Sequence, residues 1–209
     1  FIIAPIITVL PALVITAVVP WGDTVTVFGR EVSLTLANLD VGILYVMAIA
    51  SIAVYGIMMA GWSSNNKYAT LGGLRASAQM ISYELALGMA FAAPVLLAGS
   101  LNLTEIVKQQ SGLWYIVLQP VGFFIFLIAI LAEVNRAPFD MPEAEQELTA
   151  GYHTEYSGMK FALFFMAEYI KMIAVSAFAA TLFLGGYRGL FVDVYPWLGP
   201  LYLFLKVFV

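Results

Sequence analysis

Six long apolar stretches constrain the fold of this chain more than any other feature. They cover approximately residues 1–19, 41–60, 76–97, 113–134, 161–184 and 197–209. Because an α-helix rises about 1.5 Å per residue, about 20 residues match the roughly 30 Å hydrocarbon core of a bilayer. Backbone groups in lipid must be satisfied within the protein, and the stretches lack the period-two alternation of barrel strands. The sequence therefore predicts an all-α, polytopic transmembrane helix bundle with six visible spans, the last of them truncated.

The composition agrees with a bilayer as the surrounding solvent. The chain is 62% hydrophobic and 11% charged, whereas a soluble domain is about 45–50% apolar and about 25% charged. It contains no cysteine and one histidine, His153. These counts exclude a disulfide, a thiolate metal site and a cysteine-held iron–sulfur cluster within this sequence. One histidine is also too few for a histidine-rich metal site, so we expect no metal ligands here.

Both ends of the sequence lie inside apolar runs. Residue 1 is Phe rather than Met, and the final residues, Leu-Tyr-Leu-Phe-Leu-Lys-Val-Phe-Val, stop within the sixth stretch. We therefore expect residues 1–209 to form one membrane domain that is an internal piece of a longer chain.

The loops between the stretches predict an orientation. The loop at 61–75 carries Lys67 and Arg75 and no acid, and span counting places the loop at 135–160 on the same side. Together these two loops hold four cations, against three on the opposite side. Because basic residues concentrate in cytoplasmic loops, we expect both loops to face the cytoplasm.

Two carboxylates interrupt the apolar spans, Glu84 in the third and Glu168 in the fifth. A carboxyl group in lipid is costly when charged, so it can exist in either form and can carry a proton. For Glu168 a structural ion pair with Lys171, at i+3 on the same helix, is an equally good explanation. For Glu84 no local cation offers that alternative, and the sequence favours a function in proton transfer.

The loop at 135–160 is strongly acidic. A helix start at Asp-Met-Pro-Glu, with Asp140 as cap, explains part of this charge. Glu143 and Glu147 repel each other at i,i+4, however, and carboxylates this dense should titrate as a coupled set. A proton-loading site requires such a set, whereas a solvated acidic loop does not. The acids of this region are Glu133, Asp140, Glu143, Glu145, Glu147 and Glu155.

Aromatic residues follow the acidic loop. Phe161, Phe164 and Phe165 could line a channel for an apolar ligand or pack against lipid, and the sequence leaves both open. His153 could titrate near neutral pH, but a surface or hydrogen-bonding histidine is the simpler interpretation.

Two long motifs resemble one known family. Residues 132–169, AEVNRAPFDMPEAEQELTAGYHTEYSGMKFALFFMAEY, and residues 61–84, GWSSNNKYATLGGLRASAQMISYE, are similar to the H subunit of bacterial respiratory complex I. This family is the counterpart of mitochondrial NADH dehydrogenase subunit 1. The order and spacing of the two motifs fit along nearly the whole sequence. The family has eight transmembrane helices, and this sequence resembles helices two to seven.

The resemblance implies a function. It implies a membrane subunit of a proton-translocating NADH:quinone oxidoreductase in the bacterial cytoplasmic membrane. Such a subunit forms part of the quinone chamber and binds no cofactor, and it contributes no catalytic residue of its own. The quinone is then the substrate, and iron–sulfur clusters and FMN belong to partner subunits. The implied partners are the peripheral-arm quinone-site subunits, small and antiporter-like membrane subunits, and lipid, with no nucleic acid.

The resemblance also implies roles for individual residues. It assigns Glu84 and Glu168 to an intramembrane proton path, and Phe161 and Phe165 to the lining of a quinone tunnel. Possible structural partners of the acids are Lys67, Arg75 and Lys171. The chamber and its acidic loop correspond to Glu133, Arg136, Asp140, Glu143, Glu145, Glu147 and Glu155.

Other classes of membrane protein stay open at this point. A related membrane subunit of an energy-converting hydrogenase is one, and a secondary ion transporter with midplane carboxyl groups is another. Transporters often contain inverted repeats, and none is evident in the sequence. A purely structural anchor is disfavoured because it has no use for a costly acid such as Glu84.

Overall fold

The structure is a computed structural model, and it describes residues 1–27, 29–139, 151–189, 192 and 195–208. A short antiparallel hairpin, β1 (Thr24–Val27) and β2 (Arg30–Ser33), and two 3-10 turns, Gly151–His153 and Pro196–Leu198, accompany the helices. The helices are α1 (Ile3–Thr16), α2 (Gly42–Ser63), α3 (Lys67–Ala98), α4 (Leu103–Gln109), α5 (Tyr115–Leu118), α6 (Pro120–Glu133), α7 (Met159–Phe183) and α8 (Gly199–Phe208).

Three helices among the described residues, α2, α3 and α7, are long and apolar enough to cross a membrane. Helices α1 and α6 are apolar but shorter, with 14 residues each. The predicted all-α membrane fold is therefore confirmed. The β1–β2 hairpin was not predicted, because strands of four residues between two apolar stretches give only a weak periodic signal.

Two predicted boundaries were wrong. The fourth span, predicted over 113–134, is interrupted: α5 ends at Leu118, and α6 begins at Pro120. Proline has no N–H to continue a helix, whereas it suits the first helical position, so Pro120 starts a new helix rather than kinking one.

The predicted loop at 61–75 is the second wrong boundary, because most of it is helical. Helix α2 continues to Ser63 and α3 already begins at Lys67. The side chain of Asn66 accepts a hydrogen bond from the backbone N–H of Tyr68 at 3.0 Å, which is an N-cap contact. With 32 residues, α3 is longer than the roughly 20 residues that cross the bilayer core.

The first of two compact units comprises residues 1–14, 47–88 and 127–172. Its core is a cluster of alanine, larger aliphatic and aromatic side chains. Glycines let the helices approach closely: a Cβ atom on Gly56 would lie 2.7 Å from Thr8 Oγ1, and one on Gly61 would lie 2.6 Å from the carbonyl oxygen of Ala69. The buried residues of this core are Ala4, Val54, Ile57, Ala60, Ala76, Met80, Tyr152, Tyr156 and Phe164.

The second unit comprises residues 15–46, 89–126 and 173–209. Its aromatic core centres on Phe126, whose ring lies 5.3 Å from that of Phe91 and 5.2 Å from that of Phe183. In the turn that follows α7, the ammonium group of Lys206 donates to the carbonyl oxygens of Leu184, Gly186 and Arg188 at 2.6–2.8 Å. These contacts satisfy three backbone carbonyl groups of an irregular segment.

Candidate functional site

Glu84, the first predicted intramembrane acid, lies in the middle of α3. Its carboxylate accepts a hydrogen bond from the hydroxyl group of Ser51 on α2. Ser51 was not predicted as a partner, because the two residues lie 33 positions apart in the chain. The contact gives Glu84 a neutral polar partner rather than a cation.

Glu133 and Lys171 form a buried ion pair. The ammonium nitrogen of Lys171, on α7, lies 2.7 Å from Oε1 of Glu133 at the end of α6. The same nitrogen donates to the backbone carbonyl of Glu133 at 3.1 Å. The side chain of Lys171 is 13% exposed and that of Glu133 is 3% exposed, so the charge of Glu133 is compensated inside the protein. Glu84 lies close enough to Glu133 for the two carboxyl groups to repel each other when both are charged.

Arg136 and Glu168 form a second, more exposed ion pair. Nε of Arg136 lies 3.0 Å from Oε1 of Glu168, and the guanidinium group lies over the ring of Tyr169 at 5.3 Å. The i+3 spacing on α7 suggested Lys171 as the partner of Glu168, but Lys171 binds Glu133 and the carboxylate of Glu168 lies against Arg136. Two acids and two cations are thus paired between α7 and the end of α6 with its following turn.

A tight turn after α6 presents Arg136. Asn135 has a φ of 53°, the left-handed conformation that often ends helices. The N–H of Arg136 donates to the carbonyl of Leu131 at 3.2 Å, and the N–H of Asn135 donates to that of Ala132 at 3.3 Å. This bonding pattern ends α6 directly after Glu133. The buried side chain of Gln79, which sequence analysis also missed, contacts this turn.

An aromatic cluster surrounds His153. The rings of Phe161, Phe164 and Phe165 lie 5.4–5.7 Å from its imidazole ring, and Phe161 and Phe165 are 4.6 Å apart. The two predicted tunnel residues are therefore neighbours. Burial lowers the pKa of His153 to about 4, because the charged imidazolium is poorly solvated there. His153 is consequently neutral at pH 7 and buried, so of the two interpretations that the sequence offered, a surface or a hydrogen-bonding histidine, the surface one is wrong.

The acidic segment, residues 140–155 of the loop at 135–160, is described only from residue 151 onwards. Asp140, Glu143, Glu145 and Glu147 lie outside the described residues, as does the predicted helix start at Asp140. Glu155 is exposed, and its carboxylate accepts a hydrogen bond from the side-chain amide of Asn66 at 2.9 Å.

The residues that follow the acidic segment lie beside the connection between α2 and α3. The hydroxyl groups of Tyr156 and Ser63 are 3.2 Å apart, and burial raises the pKa of Tyr156, which therefore keeps its proton. Together with the contact between Asn66 and Glu155, this places residues 155 and 156 beside the connection between α2 and α3.

The remaining predicted cations lie at the surface. Lys67 and Arg75 are exposed on the first turns of α3, where the ammonium group of Lys67 lies 5.1 Å from the centre of the Tyr68 ring. In the part of the chain that the structure describes, no three His, Cys, Asp or Glu side chains are grouped so that they could hold a metal ion. The described site thus consists of carboxylates held by hydrogen bonds and ion pairs.

Comparison with known proteins decides the family. The family model described as NADH dehydrogenase matches residues 1–209. The chain belongs to the NADH dehydrogenase family. The resemblance deduced from the two motifs is therefore confirmed.

Several curated members of the NADH dehydrogenase family are similar to this chain. The NADH-quinone oxidoreductase H subunit 1 of Geobacter metallireducens is 54% identical over 96% of this chain and 59% of its own length. The NADH-quinone oxidoreductase H subunit 2 of Geobacter sulfurreducens is 53% identical over 94% and 60%. The NADH-quinone oxidoreductase H subunit of Thermomicrobium roseum is 49% identical over 100% and 64%. The chain thus spans less than two thirds of the length of these relatives.

Proposed function

We propose that this chain belongs to the membrane subunit of a proton-translocating NADH:quinone oxidoreductase, where it forms part of the quinone chamber. The supporting comparison is with relatives named as the H subunit of NADH-quinone oxidoreductase. In the proposed complex the chain carries no redox group, and its partners supply FMN and iron–sulfur clusters. The peripheral quinone-site subunits and the antiporter-like membrane subunits are its neighbours in the bacterial cytoplasmic membrane.

The observation that carries the proposal is the linkage of the acids in the first unit. Glu84 lies within electrostatic range of Glu133, and Glu133 is bound to Lys171 at 2.7 Å. Arg136, three residues after Glu133, is bound to Glu168 at 3.0 Å. A change of charge at Glu84 or Lys171 therefore acts directly on Glu133, because fields are weakly screened away from water, and it acts more weakly on the more exposed pair of Arg136 and Glu168.

The proposed mechanism begins with the quinone. Its reduction adds two electrons and consumes two protons, so charge appears and disappears in a pocket of low dielectric constant. The acidic segment and the rings of Phe161 and Phe165 are the proposed walls of that pocket. A negative charge there attracts Arg136 and weakens its hold on Glu168, which favours protonation of that carboxylate. Glu133 and Glu84 then respond in turn as a coupled set.

A triple variant in the intact complex tests the proposed function. Glu143, Glu145 and Glu147 are changed together to Gln, which removes ionisation and keeps the side-chain shape. We expect NADH oxidation by a soluble artificial acceptor to continue and quinone reduction to fall at least about tenfold, because the chamber loses its coupled carboxylates. Assembly is checked by co-purification with flavin and iron–sulfur subunits. Parental quinone reduction by the assembled variant contradicts the proposal.

A further inference from the structure

Gln79 makes an unusual set of contacts for a side chain inside a membrane helix. It lies on α3 and is 8% exposed. Its amide nitrogen is 3.1 Å from the carbonyl oxygen of Ala132, 3.2 Å from Oδ1 of Asn135 and 2.7 Å from the carbonyl oxygen of Phe139. All three acceptors belong to the end of α6 and the turn that follows it.

The chemistry of these acceptors fixes the orientation of the amide. Backbone carbonyl groups only accept hydrogen bonds, so the nitrogen of Gln79, not its oxygen, must face the turn. Its oxygen is buried and has no hydrogen-bond partner among the described residues. Leaving a buried amide oxygen without a donor costs free energy. The contacts of the nitrogen therefore have to outweigh that cost.

The turn held by Gln79 is the one that presents Arg136. The three acceptors lie on both sides of Arg136 in the chain, and Asn135 is its left-handed neighbour. One helical turn further along α3, the ring of Tyr83 packs edge-on against that of Phe139 at 5.2 Å. Two successive turns of α3 thus hold the segment from Ala132 to Phe139.

We propose that Gln79 is a positioning residue for the Arg136–Glu168 pair. Its amide donates to both ends of the turn and keeps the guanidinium group of Arg136 beside the carboxylate of Glu168. The importance of this for coupling rests on the proposed function, whereas the positioning itself does not. The carbonyl groups that accept from the Gln79 amide precede and follow Arg136 in the chain. Gln79 therefore positions Arg136 through the backbone of the turn.

The test uses Gln79→Leu in the intact complex, with Gln119→Leu as the matched control. The amide of Gln119 also donates to one helix carbonyl, that of Ala93 at 3.2 Å, and its oxygen is likewise buried without a hydrogen bond among the described residues. We expect hydrogen exchange of the Arg136 and Phe139 amides to accelerate about tenfold in Gln79→Leu and to stay at the parental rate in Gln119→Leu. Parental exchange in Gln79→Leu overturns the positioning role.

Two further variants separate hydrogen bonding from shape. Gln79→Met keeps the length of the side chain but has no hydrogen-bond donor, so exchange should accelerate as in Gln79→Leu. Asn135→Gly removes one acceptor, and glycine tolerates the left-handed backbone at this position. We expect it to accelerate exchange about threefold. This variant tests the positioning role of Gln79 where the Gln79 variants do not assemble. Slow exchange in both variants contradicts the positioning role.

Activity separates the positioning role of Gln79 from the proposed function. We expect the coupled quinone reductase rate to fall about threefold or more in Gln79→Leu, while NADH oxidation by an artificial acceptor is unchanged. Fast exchange with parental quinone reduction supports the positioning role of Gln79 and counts against the role of Arg136–Glu168 in the proposed function.

Discussion

Lys171 binds Glu133 across 38 residues of sequence, with its ammonium nitrogen 2.7 Å from the carboxylate oxygen and both side chains largely buried. The pair joins the end of α6 to the middle of α7. Buried ion pairs are costly to break, because removing one partner leaves an uncompensated charge. The pair can therefore be tested by measurements of protein stability as well as of activity.

Lys171→Met should destabilise the protein strongly. It leaves the carboxylate of Glu133 buried without its cation, which typically costs about 3–5 kcal/mol. The double variant Lys171→Met with Glu133→Gln removes both charges and should recover a large part of that loss. Thermal unfolding of the solubilised complex measures both. Equal unfolding temperatures for the single and the double variant would show that the pair is not coupled.

Ser51→Ala should remove the hydrogen bond that holds the carboxyl group of Glu84 and should reduce proton translocation. The variant removes the hydroxyl donor of the Ser51–Glu84 hydrogen bond, and losing one hydrogen bond costs about 1 kcal/mol. We expect less proton translocation per electron with assembly retained. Ser82→Ala is the matched control, because its hydroxyl group donates to its own helix at the carbonyl of Ala78 and lies at the surface. Identical coupling in the two serine variants would remove Ser51 from the site.

His153 predicts a pH dependence of stability. Its pKa is about 4 in the folded protein and 6.5 for the free side chain. The unfolded chain therefore binds more protons between these values, so stability is highest above pH 6.5 and falls as the pH falls toward 4. His153→Gln should flatten this part of the profile. Unfolding temperatures between pH 7 and pH 5 measure it, and equally steep profiles for parent and variant would contradict the burial of His153 as the cause.

The sequence predicted helices and costly acids well, because both depend on local chemistry. The apolar stretches indicated the membrane helices, and Glu84 and Glu168 were visible as charges within them. It could not predict which cation binds which acid. The i+3 spacing along α7 suggested an ion pair between Glu168 and Lys171. In the structure the turn after α6 places Arg136 beside Glu168, and Lys171 binds Glu133.

Partners from distant parts of the chain were missed for the same reason. Ser51 and Gln79 are ordinary polar residues in apolar or mixed segments, and nothing local marks them as contacts of Glu84 or of the turn after α6. Their importance arises only when α2, α3 and α6 are packed together. The interruption at Pro120 was in principle visible, because a proline in an apolar run either kinks a helix or starts one.

Proton translocation by Glu84→Gln in the intact, reconstituted complex is the decisive test of the proposed proton path. The change removes ionisation and keeps the shape, and Glu31→Gln on the exposed strand β2 is the matched control. The measurement is the number of protons translocated per electron delivered to quinone. We predict a loss of at least about half of that ratio in Glu84→Gln, since an intramembrane acid without a local cation is suited to carry protons, and the parental ratio in Glu31→Gln. A parental ratio in an assembled Glu84→Gln complex would contradict the proton path.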